Sequence, residues 1–362
     1  MSRLTRRAAI GASLAMVACR DRAISRSTVD APPLRSVAPF PVGAEITADM
    51  IDDPAARQLL LANFNQITPG LEFKMERVLH DDGTLDFSGA DRLMAFARVE
   101  GLRVHGHNLV WYIYRPPSFL QLANDKAAFA RAYRDYIHAV AGRHPGRISG
   151  WDVVNEPISE DGEGYRDSLW SETLGGPDYI VRALEHAQEA DPQAVLFVNE
   201  YHLESKPRKL ATFLRLIEDL LRRGAPLTGI GTQMHMVHEQ PPASIAPMMR
   251  ELAAFGLPIH VSELDVSTYG GRLPTESMEV RLERQARLVA EAAAAFTDLP
   301  VPQRYAFTTY GLRDKDSWLR LASQGGHPSD SPLLFDDEGR AKPAAAAFAR
   351  AVSDRSPHPP SP

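Results

Sequence analysis

Eight short apolar segments run through the sequence, and stretches with helical spacing of their apolar residues lie between them. This alternation is typical of a parallel sheet whose strands are joined by crossover helices. The chain has 362 residues, a normal length for one α/β barrel. We therefore expect an α/β fold, a single (β/α)8 TIM barrel. The predicted strands are residues 42–46, 64–68, 103–108, 150–155, 194–199, 228–235, 258–264 and 304–309.

The helical stretches carry apolar stripes that we interpret as core-facing surfaces. One stripe, within residues 210–221, ends before Gly224, a plausible C-cap. The clearest stripe consists of Phe129, Tyr133, Tyr136, Ile137 and Val140, which recur at intervals of three or four.

The charge balance argues against a nucleic-acid partner. The formal net charge is −6, and no cluster of basic residues resembles a nucleic-acid footprint. The composition, 44% apolar and 24% charged, is that of a globular protein. No feature of the sequence points to a protein partner.

A glutamate stands at the carboxyl end of two of the predicted strands. Glu156 directly follows the fourth strand and precedes Pro157, which cannot donate to a ladder, and Glu263 lies at the end of the seventh. Because the carboxyl ends of barrel strands share one face, we expect these two carboxyl groups to meet there. A protonated carboxyl and a second carboxylate that flank a sugar cleave a glycosidic bond, with retention when they lie about 5–5.5 Å apart. The pair therefore predicts a glycosidase.

Three further residues belong to this predicted site. His235 ends the sixth strand and is placed to hydrogen-bond Glu263 and keep it ionised. Asp265 is placed to orient His235 through its other ring nitrogen. Asn155 is a candidate donor to a sugar 2-hydroxyl. The alternatives are a packed structural histidine and an amide that satisfies a strand-end carbonyl.

Short motifs along residues 40–350 carry a family resemblance. They are FNQITP (64–69) with Lys74, GHNLVW (106–111), WDVVNEP (151–157), NEY (199–201), GIGTQMH (229–235), VSELD (261–265), YG (310–311) and DSW (316–318). In this order the chain resembles a glycoside hydrolase family 10 endo-β-1,4-xylanase. The resemblance implies endo-acting, retaining hydrolysis of xylan or xylo-oligosaccharides through a covalent glycosyl-enzyme, with no metal and no cofactor.

The same resemblance implies roles for individual residues. Glu156 is implied as the acid/base and Glu263 as the nucleophile. Ammonium and imidazole groups suit sugar hydroxyls, and indole faces suit pyranose rings, although core filling is the commoner fate of tryptophan. The implied sugar-binding residues are Lys74, His107, Trp111, Gln233 and Trp318 on the non-reducing side of the cut, together with Tyr201 and Tyr310.

Some positions depart from the family pattern. Gly70-Leu71 stand where Glu-Asn is usual, so a polar sugar contact is lost. None of the departures involves the carboxylate pair. They leave open which sugar binds one unit from the cut, so a related β-1,4-linked glycoside remains an alternative substrate. The others are Tyr112 and Tyr114 for His and Gln, Tyr310 for Trp and Glu200 for Asp.

Two alternatives from other classes remain at this stage. A metal-dependent hydrolase is suggested by His105 and His107, whose spacing puts both imidazoles on one strand face. It requires an Asp ligand that the eighth strand, ending at Thr308-Thr309, does not supply. A catalytically impaired xylan-binding lipoprotein is the non-enzymatic alternative, although both carboxylates are present.

The N-terminus carries targeting signals. Arg6-Arg7 resembles a twin-arginine export signal, and an apolar stretch over residues 8–18 follows. Cys19 is a candidate lipid anchor, and we expect export to the periplasm, the outer membrane or the extracellular medium. We predict an export signal over residues 1–18, a linker over 19–39, the catalytic domain over 40–352 and a flexible tail over 353–362.

Overall fold

The computed structural model describes residues 28–270 and 275–354 and has a strand at each of the eight predicted positions, the sixth in two pieces. The strands are β1 Val42–Ile46, β2 Gln66–Pro69, β3 Arg103–Trp111, β4 Gly150–Asn155, β5 Val195–Glu200, β6 Gly229–Thr232, β7 His235–Val237, β8 Ile259–Ser267 and β9 Arg304–Thr309.

These strands form one closed parallel sheet. β1 pairs with β2 on one side and with β9 on the other, and β6 pairs with both β5 and β8. β7 also pairs with β8, so β6 and β7 together fill one barrel position. The break between them contains Met234, whose φ of 60° is left-handed. The predicted (β/α)8 TIM barrel is confirmed.

The outer layer consists of helices that pack an apolar face on the barrel. Asp125 caps the helix Lys126–Ala141 by accepting from the backbone N–H groups of Ala127 and Ala128. The stripe predicted for this helix is buried throughout. The α-helices are α1 Leu34–Val37, α2 Pro54–Asn63, α3 Met75–Val78, α4 Ser88–Glu100, α5 Pro117–Leu120, α6 Lys126–Ala141, α7 Leu169–Leu174, α8 Asp178–Ala190, α9 Pro207–Arg222, α10 Ile245–Ala253, α11 Met278–Thr297 and α12 Pro343–Ser353.

A layer of rings fills the barrel interior. His105, Phe197, His260 and Tyr305 pack edge to face, with ring centroids 4.3 to 5.9 Å apart. The barrel is therefore a packed core rather than a pore, and the free space lies at its end.

The linker prediction needs one correction. Residues 34–37 form α1 within the range predicted as linker, and Leu34 is fully buried. Its backbone N–H donates to Asn63 Oδ1 at 3.2 Å, so this segment is part of the folded domain. The export signal, Cys19 and the tail beyond residue 354 lie outside the described residues and stay predictions. No helix in the described ranges has the length and apolarity to cross a membrane.

Candidate active site

A cleft of about 560 Å³ opens at the carboxyl ends of the strands. Four of the five predicted catalytic residues line it, namely Asn155, Glu156, His235 and Glu263. All seven predicted sugar-binding residues line it as well: Lys74, His107, Trp111, Tyr201, Gln233, Tyr310 and Trp318. The remaining predicted residue, Asp265, lies behind His235 and is 2% exposed. The fold thus brings the predicted site residues together.

Glu156 follows the last residue of β4 in a left-handed backbone conformation, with a φ of 59°. Its N–H donates to the carbonyl of Asn199 at 2.8 Å, which fixes this turn against β5. Its Oε1 accepts hydrogen bonds from Asn155 Nδ2 and Gln233 Nε2, both at 3.0 Å. No described side chain donates to Oε2, so this oxygen of Glu156 is available to carry a proton into the cleft.

Glu263 has a different environment within β8. Asn199 Nδ2 donates to Oε1 at 2.7 Å, and His235 Nε2 lies 3.4 Å from Oε2. His107 Nδ1 is 4.0 Å from Oε1. Burial raises the pKa of Glu263, but the two imidazoles outweigh burial and hold that pKa below its usual value. The carboxyl group of Glu263 is therefore held as a carboxylate.

His235 lies between two acidic side chains. Its Nδ1 is 2.9 Å from Asp265 Oδ2, on the opposite side of the ring from Glu263. Burial lowers the pKa of His235, but the charges of Asp265 and Glu263 outweigh burial and raise that pKa to about 10. Trp318 Nε1 donates to the same Asp265 Oδ2 at 2.9 Å, so Asp265 positions both rings at the cleft.

Three amides connect the two glutamates. Asn155 Oδ1 accepts from Asn199 Nδ2 at 2.9 Å and from Gln233 Nε2 at 3.2 Å. Since Asn199 also donates to Glu263 and Gln233 also donates to Glu156, one continuous network joins the carboxyl groups. The network is buried, which strengthens its hydrogen bonds.

One wall of the cleft combines a cation with aromatic rings. Lys74 Nζ donates to Tyr310 Oη at 3.1 Å and lies 5.2 Å from the centroid of the Trp111 ring. Lys74 is 8% exposed, so it is a buried lysine of the cleft rather than a solvated surface charge. An ammonium beside flat apolar faces suits a pyranose, which offers both hydroxyls and an apolar ring face.

Arg166 contacts Tyr201 and Glu156, two residues that line the cleft. Its Nη2 donates to Tyr201 Oη at 2.8 Å, and its guanidinium lies 4.1 Å from the centroid of the Tyr112 ring. Its Nε donates to the carbonyl of Glu156 at 3.2 Å. Arg166 therefore connects the ring of Tyr201 to the backbone of the Glu156 turn.

Beneath the cleft, Asp152 lies between two histidines of β3. Its Oδ2 is 2.8 Å from His107 Nδ1 and 3.1 Å from His105 Nε2. Donor atoms of His105, Asp152 and His260 lie within 4.8 Å of one another, as do those of His107, Asp152 and Glu263. Ligand atoms of one tetrahedral zinc ion are about 3.3 Å apart. The 2.8 Å separation fits a hydrogen bond better, and we assign Asp152 to positioning His107.

Asn199 and Asp152 contact the predicted residues but are not among them. Asn199 ends a predicted apolar strand just as Asn155 does, and this position is the signal that could have identified it. Asp152 stands in the middle of β4 and is fully buried, where no strand-end signal marks it. A buried aspartate inside an apolar strand is itself a signal, because an acid there needs a partner.

Comparison with known proteins gives a consistent result. The model of "Glycosyl hydrolase family 10" matches residues 35–351. Endo-1,4-beta-xylanase A of Cellvibrio japonicus (strain Ueda107) is 32% identical over 352 residues, covering 89% of this chain and 57% of that protein. Endo-1,4-beta-xylanase C of Paenibacillus barcinonensis is 35% identical over 330 residues, covering 84% of this chain and 30% of that protein. The chain thus spans less than two thirds of the length of these relatives.

A solved structure extends the comparison to the fold. A mutant of P fluorescens subsp. cellulosa xylanase A in complex with xylopentaose superposes with a TM-score of 0.78 at 32% identity, covering 88% of this chain and 99% of that one. The family match spans both strand-end glutamates, and it extends over most of the chain. This chain belongs to glycosyl hydrolase family 10.

Proposed function

We propose that this protein is a retaining endo-1,4-β-xylanase, with Glu263 as the nucleophile and Glu156 as the acid/base. The observation that carries the proposal is that the two carboxyl groups of one cleft have different environments. Glu263 is held ionised by imidazoles, whereas Glu156 has one oxygen bonded by two amides and another that accepts from no side chain in the described part of the chain.

In the first step, an oxygen of Glu263 bonds to the anomeric carbon of the sugar on the non-reducing side of the cut. The bond from that carbon to the bridging oxygen breaks, and Glu156 transfers its proton to the leaving oxygen. The negative charge of Glu263 is consumed in the new ester bond. Asn199 and His235 lose a charged partner, so they stabilise the free carboxylate more than the ester.

In the second step, Glu156 is a carboxylate and accepts a proton from water. The water oxygen bonds to the anomeric carbon, and the ester bond to Glu263 breaks. Two inversions at one carbon give net retention. Both carboxyl groups return to their starting protonation states.

The substrate assignment rests on the cleft and on the relatives. Trp111, Trp318 and Tyr310 provide ring faces, and Lys74 provides a donor, which together suit a neutral sugar chain. A structural relative is known in complex with xylopentaose. We infer that β-1,4-linked xylose units occupy this cleft.

The proposal is tested by trapping with a 2-fluoro-xyloside that carries a good leaving group, followed by peptide mapping. The expected product is a single 2-fluoro-xylosyl ester on Glu263. A label on another residue contradicts the nucleophile assignment. Purified protein that binds xylan but releases no reducing ends supports the non-enzymatic alternative instead.

A further inference from the structure

Glu45 is an acidic side chain of the cleft that the catalytic arrangement does not use. It lies in β1 between Ala44 and Ile46, which are both fully buried, and is itself 8% exposed at the cleft wall. Within residues 28–270 and 275–354, no group forms a hydrogen bond or close ion pair with its carboxyl group. The carboxyl group of Glu45 lines the cleft and is therefore free to bond a ligand there.

Gly70 provides the space for this carboxyl group. A Cβ at position 70 would lie 1.6 Å from Glu45 Oε1 and 2.4 Å from its Cδ, so any side chain there displaces Glu45. The φ of Gly70 is not left-handed, so the backbone does not require glycine at this position. Glycine is therefore needed for close approach rather than for conformation.

This geometry gives a reason for the departure at Gly70-Leu71. The resemblance leads us to expect a glutamate directly after Pro69, and the chain instead has a glycine that Glu45 overlies. A carboxyl group is therefore present at this part of the cleft, but it is supplied by β1 rather than by the loop after β2.

The surroundings of Glu45 are suited to a neutral ligand. Burial raises the pKa of Glu45 to about 8, although the ammonium of Lys74 acts in the opposite direction. The carboxylates of Glu72, Asp316 and Glu263 raise the pKa of Glu45 further. A protonated carboxyl group both donates and accepts hydrogen bonds, which matches a sugar hydroxyl.

We propose that Glu45 is a sugar-binding residue that hydrogen-bonds a hydroxyl of the xylose unit one removed from the cut, in place of the side chain absent at Gly70. The inference rests on the proposed function for the identity of the sugar. Glu45 would also determine specificity, because a site built to hydrogen-bond a hydroxyl discriminates against a substrate that lacks the second sugar.

The test compares the ratio of kcat/KM for an aryl β-xylobioside to that for the matching aryl β-xyloside, which lacks the second sugar. In Glu45→Ala the ratio is expected to fall at least tenfold. In Glu45→Gln, which keeps a donor and an acceptor, at least a third of the ratio is expected to remain. Glu251→Ala, an exposed position on α10, is the matched control and leaves the ratio unchanged.

A swapped variant tests the position of the carboxyl group. The double variant Glu45→Ala with Gly70→Glu is expected to have a ratio at least threefold higher than that of Glu45→Ala alone. A purely structural role of Glu45 does not explain such a recovery. A ratio in Glu45→Ala within twofold of the wild type, or an equal loss on both substrates, overturns the proposal.

Calorimetric binding of xylobiose separates this inference from the proposed function. If Glu45→Ala binds xylobiose at least tenfold more weakly than the wild type, the role of Glu45 is supported. This holds even if the wild-type protein releases no sugar, a result that would contradict only the proposed hydrolysis. Equal binding by the two proteins overturns the role of Glu45 while leaving hydrolysis of xylan intact.

Discussion

Asp265 and Glu263 contact opposite nitrogens of His235, at 2.9 Å and 3.4 Å. The imidazole therefore couples Asp265, which does not line the cleft, to Glu263, which does. Because the pKa of His235 is raised to about 10, this ring is charged at neutral pH and favours the ionised form of Glu263.

Asp265→Asn is expected to weaken this arrangement without a large change of shape. The pKa of His235 falls, Glu263 loses part of its charged partner, and the pKa of Glu263 rises. We expect a rise of about one pKa unit, which lowers the ionised fraction of Glu263, and with it kcat/KM, about tenfold on the acid limb. The acid limb of the kcat/KM profile moves to higher pH. An acid limb identical to that of the wild type contradicts the prediction, and Glu251→Gln on α10 is the control.

Glu156→Ala is expected to affect substrates according to their leaving groups. Loss of the proton donor lowers hydrolysis of xylan by about 10²–10⁴-fold, the usual contribution of general acid catalysis. Formation of the glycosyl-enzyme from an activated aryl xylobioside needs no protonation and is largely spared. Pre-steady-state release of the phenol measures this step. Equal losses on both substrates are inconsistent with an acid role for Glu156.

Glu45→Gln is expected to alter the pH dependence of stability. The pKa of Glu45 is about 8 in the folded protein against an ordinary 4.5, so the folded state binds the extra proton between these values. Wild-type stability therefore falls as the pH rises from 4.5 to 8 and changes no further above, as far as this group is concerned. Glutamine removes this dependence.

Urea unfolding at several pH values measures the effect. The stability advantage of Glu45→Gln is expected to grow through this window to a few kcal/mol, since each pKa unit corresponds to about 1.4 kcal/mol. A constant difference between the two proteins across the window argues against a raised pKa of Glu45.

Lys209→Met is expected to destabilise the fold. Lys209 Nζ lies 2.8 Å from Glu200 Oε1, and both side chains are fully buried. Removal of one partner from a buried pair costs about 3–5 kcal/mol, because the other charge is left without compensation. The double variant Glu200→Gln with Lys209→Met is expected to recover much of this loss in a thermal melt. Additive losses in the double variant contradict the assignment of the pair as a unit.

The sequence predicted the strands well because each is a short apolar run between helical patterns. The second strand was placed two residues early at Phe64, which is buried but caps α2 instead of joining the ladder. The sixth was predicted as one segment, because the left-handed Met234 that divides it has no side-chain signature. Leu34 lies in a stretch with three prolines and no apolar periodicity, which is why the sequence predicts a linker there.

The site was predictable where a polar residue ends an apolar run, as Glu156 and Glu263 do. Glu45 was not found, because it stands inside a strand and its meaning depends on an absent side chain at Gly70, a residue distant along the chain but adjacent in space. Asp152 was missed for the same reason: its partners, His105 and His107, lie on another strand. Such relationships are created by strand register, which local patterns do not encode.

The hydroxyl of Ser262 donates to Asn199 Oδ1 at 2.8 Å, which leaves the NH2 group of Asn199 facing Glu263 and Asn155. Asn155 must then turn its oxygen toward Asn199 and its NH2 group toward Glu156. Asn199 is thus oriented from both ends, by the hydroxyl of Ser262 at its oxygen and by the carboxylate of Glu263 at its NH2 group. Loss of that single hydroxyl would leave the Oδ1 of Asn199 without this donor at a fully buried position, where an acceptor without a partner is costly.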